Sequence, residues 1–150
     1  ICDSNKPEVQ KFGRETIQKY FKSENGVEYM LKLSEHPTQN MSLFVTNYLE
    51  NYAADSTENL AQLSPYFIRT LCAVNRGRVA KNRILSFLEK EALKSEKSAQ
   101  IVSEILARQS ATVAIGDKAK TIETMLKIHR AFPEIILPIK VKQTETRSGV

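Results

Sequence analysis

Between its glycines and prolines the chain repeats apolar residues at intervals of three and four, the spacing of one helix face, from Val9 to Phe132. A sequence with that period buries its apolar residues as helices packed on helices. The first run opens at Pro7, where proline suits a first helical turn, and carries Val9, Phe12, Thr16, Ile17, Tyr20 and Phe21. Asn25-Gly26 predicts a turn, and Val27, Met30, Leu31 and Leu33 predict a short helix ending before Pro37. A third helix is expected from Thr38, with Met41, Phe44, Val45, Tyr48, Leu49 and Tyr52 on its apolar side.

Ser56 or Thr57 can cap the next element, a short turn with Leu60 and Leu63, after which a helix from Pro65 carries Phe67, Ile68, Leu71, Cys72 and Val74. Gly77 suits the left-handed residue that ends a helix. A long helix follows over Arg78 to Ser95, with Ala80, Ile84, Leu85, Leu88 and Ala92 inward. Ser98 to Ser110 is expected to bury Ile101, Val102, Ile105 and Leu106, and a last helix after Gly116-Asp117 shows Ile122, Met125, Leu126, His129 and Phe132. From Pro133 the pattern changes to β-type residues, Ile135 to Lys142, and then to a polar end. The expected organisation is a helical domain over 1–132 and an extended or frayed C-terminal tail over 133–150.

With 150 residues, 41% of them apolar and 26% charged, the chain is long enough for one core and unlike disordered or low-complexity sequences. Its apolar stretches are only a few residues long, too short for a membrane span. Cys2 and Cys72 do not make a disulfide framework, which points to reduced thiols and a cytoplasmic setting. The first residues, Ile1 to Lys6, lack the pattern of a secretory leader, and a helix start at one end with a polar tail at the other is expected of a segment of a larger protein.

A shift of 32 lays Val9, Phe12, Ile17 and Tyr20 on Met41, Phe44, Leu49 and Tyr52, and a shift of 39 lays Val45 to Ala53 on Ile84 to Ala92. Periods of this size with two helices per unit are the signature of a helical solenoid. Around the two prolines, Asn5 to Phe12 and Glu35 to Met41 resemble the start of HEAT repeats, in which proline opens the first helix of each pair after a short polar turn. The resemblance implies an all-α fold, antiparallel helix pairs stacked as a HEAT-like α-solenoid segment, and a surface that binds partners, usually proteins and sometimes nucleic acid.

The chemistry-bearing patterns are missing. There is no glycine-rich phosphate loop, no Gly-x-Ser-x-Gly elbow, no His-Glu-x-x-His and no Cys-x-x-Cys, so no enzyme, cofactor or metal is expected. His36 reads as a loop residue and His129 as a half-buried imidazole beside the apolar stripe; Cys72 reads as a small core residue. Glu89 and Glu91, two apart on a helix, cannot face one another.

Charge is distributed less evenly. Residues 1–58 hold 6 basic and 9 acidic side chains, residues 59–88 hold 5 basic and none acidic, and residues 89–150 hold 11 and 8. The middle segment alone carries the whole net charge of +5 in Arg69, Arg76, Arg78, Lys81 and Arg83, with four of the five between 76 and 83. Arg forks at a helix start favour phosphate or carboxylate; the competing reading ties the same cations to helix-end carbonyls and neighbouring carboxylates. The function expected is a non-enzymatic interaction or scaffold module that binds a protein partner through its helical-repeat surface, with these five residues as the contact. The alternative is nucleic-acid binding through the same basic turn; the absence of Trp and of an aromatic ladder counts against it.

Overall fold

The computed structural model describes residues 4–137 except 5, 22, 37 and 114. Cys2, Pro37 and the 138–150 part of the expected tail lie outside the described residues. Helices α1 (Pro7–Tyr20), α2 (Gly26–Ser34), α3 (Gln39–Val45), α4 (Leu49–Tyr52), α5 (Thr57–Gln62), α6 (Ser64–Cys72), α7 (Arg78–Ala92), α8 (Glu96–Ser110) and α9 (Lys118–Ala131) follow one another, and no strand occurs among the described residues. The fold is all-helical.

Local chemistry sets the boundaries. Pro7 occupies the first turn of α1. Ser56 caps α5 by accepting from the Asn59 N–H at 3.2 Å, and Ser95 caps α8 by accepting from that of Ser98, also at 3.2 Å. The helix expected as one piece from Thr38 to Tyr52 is interrupted, tightening into a 3₁₀ turn over Thr46–Tyr48. There the Thr46 hydroxyl donates to the Leu43 carbonyl at 2.6 Å, a back-bond that competes with the regular helical ladder.

Helix α8 sits at the centre, packed against α5, α6, α7 and α9, and α7 in turn touches α3, the 3₁₀ turn that follows it, α6 and α9. The core runs through these elements, joining Met30, Leu49, Leu60, Phe67, Leu71, Ile84, Leu88, Val102, Leu106 and Ile128. At about 1.5–3 kcal/mol for each fully buried large apolar side chain, this cluster supplies the main driving force for the fold. Ile135, in the segment expected to be tail, is also buried in it, and Leu137 packs against it; no strand forms over 135–137.

A set of polar bonds joins helices whose partners lie 34 to 40 positions apart in sequence. Arg69 donates to the Ser34 carbonyl, Arg83 to Thr46 and Asn47, Lys90 to Glu50, Lys94 to Asp55, Lys120 to Ser86, and Lys127 to Glu89. In each of these a cation later in the chain reaches back to an acceptor earlier in it. Lys81, which reaches forward to Asp117, runs the other way.

Two helices present a different face from the one expected. In α1 only Gly13 is buried, while Phe12 and Tyr20 are 60% and 64% exposed. In α9 the buried residues are Thr121, Thr124, Met125 and Ile128, so Ile122, Leu126 and His129 turn outward. The threonines can be inside because each is satisfied. Thr121 bonds Gln109 Oε1 at 2.8 Å and its own helix-start carbonyl at Asp117, and Thr124 bonds Glu89 at 3.1 Å.

Candidate functional site

The basic segment enters at the turn between α6 and α7. Asn75 and Gly77 both take positive φ there, 57° and 73°, conformations that Asn and Gly adopt at least cost. The turn reverses the chain tightly, which brings Arg76 and Arg78 to its outside and Lys81, one turn into α7, to its inside.

Lys81 is buried, with 3% of its surface exposed. Its ammonium donates to the Ala73 carbonyl at the end of α6 and to Asp117 Oδ2 at 2.9 Å, where the short 3₁₀ turn Ile115–Asp117 leads into α9. One side chain therefore ties three elements together. A buried ammonium is tolerable only with such compensation. The carbonyl that ends the preceding helix is thus satisfied by Lys81, in line with the reading that ties these cations to helix ends.

Two more of the five cations are bonded inside the protein. Arg69 donates to the Ser34 carbonyl at 3.1 Å, where it caps α2 from outside, and Arg83 donates to Thr46 Oγ1 at 3.1 Å and Asn47 Oδ1 at 2.8 Å. Arg76 and Arg78 are exposed, and among the described residues neither has a hydrogen-bond or ion-pair partner. The five residues are therefore not one patch. The structure brings Arg76, Arg78 and Lys81 to one cavity and directs Arg69 and Arg83 elsewhere.

That cavity holds about 610 Å³ and lies between the α6–α7 turn and the turn before α9. Asn75, Arg76, Arg78, Lys81 and Asp117 supply its polar side; Val113, Ile115 and Gly116 supply the rest. Val113 and Ile115 are 75% and 78% exposed. Lys81 and Asp117 cancel, so the net charge facing the cavity is that of the two free guanidiniums, supplemented by the positive end of the α7 dipole. The sequence reading missed the apolar half of this site, since Val113 and Ile115 belong to no periodic helix face.

Several ionisable groups elsewhere are engaged in structure. The Glu89 carboxyl titrates below the usual range because Lys127 donates to it at 2.7 Å and Thr124 adds a second bond, which outweigh its partial burial. Glu91, on the same helix, points to Lys94 and to the Asp55 backbone, so the two carboxylates diverge as their spacing requires. Cys72 is half-buried, and desolvation pushes its thiol pKa up despite the opposing pull of nearby Lys81 and Arg108; a thiol held protonated is a poor nucleophile. His129 is exposed, where the sequence predicts it half-buried, because α9 is rotated about its axis to seat Thr124 and Ile128. His36 is partly buried, its Nδ1 accepting from the Thr38 N–H at 3.2 Å just before α3. Among the described residues no group of three or more His, Cys, Asp or Glu is arranged to hold a metal ion, and no helix is long and apolar enough to cross a membrane.

No family model, curated protein or solved structure matches this chain.

Proposed function

We propose that the chain is a HEAT-like α-solenoid segment acting as a non-enzymatic interaction module, which binds a protein partner through the surface around Arg76 and Arg78. The solenoid reading rests on the polar bonds of nearly constant sequence separation. Units of 34 to 40 residues stacked side by side, each an antiparallel pair, would place equivalent positions next to one another in this way. In that arrangement α3–α4, α7 and α9 form one layer, and α2, α5–α6 and α8 the other.

The functional reading rests on one observation: two arginines with no partner among the described residues line an open cavity, while Arg69, Lys81 and Arg83 are bonded internally. Exposed guanidiniums without an internal bond can fork to a carboxylate with no interaction to break first. Nucleic acid fits less well. The two unbonded cations of this cavity would neutralise about two phosphates, which gives little affinity at physiological salt.

Purified chain, wild type and R76E/R78E, would be immobilised and cross-linked to lysate proteins, with labelled duplex DNA titrated in parallel. The reading expects a discrete set of proteins captured by wild type and lost from the variant, and DNA binding weaker than about 10⁻⁴ M at physiological salt. Identical capture by both chains, or DNA binding well below that limit, would remove it.

A further inference from the structure

The cavity between the α6–α7 turn and the turn before α9 takes polar and cationic side chains from the first turn and, Asp117 apart, apolar ones from the second, and this combination narrows what can occupy it. We infer that it takes a peptide segment in which an Asp or Glu carboxylate lies next to a branched or aromatic apolar side chain. The inference rests on the protein-partner reading above and specifies its ligand.

Arg76 and Arg78 are exposed and unpartnered among the described residues, and they flank the start of α7. Two planar forks on one turn suit the paired oxygens of a carboxylate. Lys81 lines the same cavity but is held by Ala73 and Asp117, so it fixes the shape of the site without offering a free charge. Asp117 itself lines the cavity. A resident carboxylate, even a paired one, works against a ligand of dense negative charge such as a run of phosphates and favours a single carboxylate seated on the arginine side.

The turn before α9 contributes Val113 and Ile115, more than seven-tenths exposed and outside the hydrophobic core. Side chains of this kind left in water at the edge of a basic site are the features an apolar residue of a ligand would cover. A volume near 610 Å³ accommodates a few side chains, which matches a short peptide stretch. Nucleotide bases would need an aromatic platform, and neither Arg-lined nor apolar residues of this cavity include one.

The test is a selection of random peptides displayed on phage against the immobilised full chain, followed by anisotropy titration of the winning sequence as a labelled synthetic peptide. Wild type is expected to enrich sequences pairing Asp or Glu with Leu, Ile or Phe. The winner should bind R76E/R78E at least about tenfold more weakly and V113S/I115S about threefold more weakly, and should bind less tightly as salt rises. All four substitutions fall on exposed side chains, so folding can be verified by an unchanged thermal transition. Enrichment of peptides without carboxylates, or affinity indifferent to R76E/R78E, overturns the inference while leaving a protein-binding module standing. Failure of wild type to enrich any peptide overturns both. Competition of the peptide by a single-stranded oligonucleotide at equal concentration overturns it in favour of nucleic acid.

Discussion

The backbone N–H of Asp55 donates to Oε2 of Glu91 at 2.9 Å, across 36 positions of sequence. Asp55 sits at φ 59°, a left-handed conformation uncommon for a residue with a side chain, and Glu91 is 2% exposed. The buried carboxylate also accepts from Lys94 at 2.6 Å, and Lys94 reaches on to the Asp55 carboxylate at 2.7 Å. A closed polar triangle therefore fixes the end of α7 against the turn after α4.

Removing the centre of that triangle should be costly. Glu91→Ala takes away two bonds and the packed stem of a buried side chain, for an expected loss of about 2–3 kcal/mol, while Glu91→Gln keeps the acceptor and should lose about 1. Urea denaturation of the two variants measures both. An alanine variant as stable as wild type would show that water replaces the carboxylate without penalty.

The ion pair of Lys81 and Asp117 makes a sharper case, because one partner is almost wholly enclosed. Asp117→Ala leaves a buried ammonium with only the Ala73 carbonyl and should cost about 3 kcal/mol, whereas replacing both partners by apolar residues, K81M/D117L, should recover most of that. The same variants separate scaffold from site. If D117A lowered the unfolding midpoint no more than a surface substitution does, Lys81 would not be the tie between α6, α7 and α9.

The two halves of this region were unequally legible in the sequence. Ala80, Ile84, Leu85, Leu88 and Ala92 are all buried, as the periodicity of α7 predicts, because a long helix with one continuous stripe has a single way to face the core. Gly77 takes the left-handed φ its sequence suggests but not in the expected place: α6 ends at Cys72, and Gly77 stands at the start of α7 rather than at the end of α6. In α9 the stripe misleads: Ile122 and Leu126 are outside and Thr121 and Thr124 inside, since the partners that make buried hydroxyls acceptable, Gln109 and Glu89, lie 12 and 35 positions away. The five clustered cations show the same limit. Counting charge locates Arg69, Lys81 and Arg83 beside Arg76 and Arg78, but what divides them is whether Ser34, Asp117 or Thr46 comes within bonding distance, and that is a property of the packed helices.

A close approach between α2 and α4 yields a third prediction. A Cβ added at Gly26 would fall 2.3 Å from Cδ1 and 2.6 Å from Cγ of Tyr52, too near for a ring anchored among Phe21 and Tyr48 to yield cheaply. Gly26→Ala should therefore destabilise by about 1–3 kcal/mol although alanine is the better helix former, and in the Tyr52→Ala background the same substitution should be neutral or mildly stabilising. A double-mutant cycle reads the coupling directly. Strictly additive effects would mean that the ring moves aside freely.

The last prediction concerns acid. Hydrogen bonding from Lys127 first, and from Thr124 as well, lowers the folded-state pKa of Glu89 against the opposing effect of partial burial. Its unfolded value lies near about 4.3. On acidification the unfolded chain takes up the Glu89 proton before the folded one does, so the stability this carboxylate contributes is present above that value and is lost as pH falls through the lower folded one. Glu89→Gln, which keeps the shape but not the charge, removes that contribution. The urea midpoint of wild type should exceed that of the variant at neutral pH, and the gap should close as pH is brought down to about 3. Lys127, whose pKa the Glu89 and Glu123 bonds raise, acts in the opposite sense: its contribution holds below its unfolded value near about 10.4 and fades only as pH climbs past the folded one. A gap between wild type and Glu89→Gln that stayed constant from neutral pH down to the acid end would show that the link between α7 and α9 does not depend on charge at Glu89.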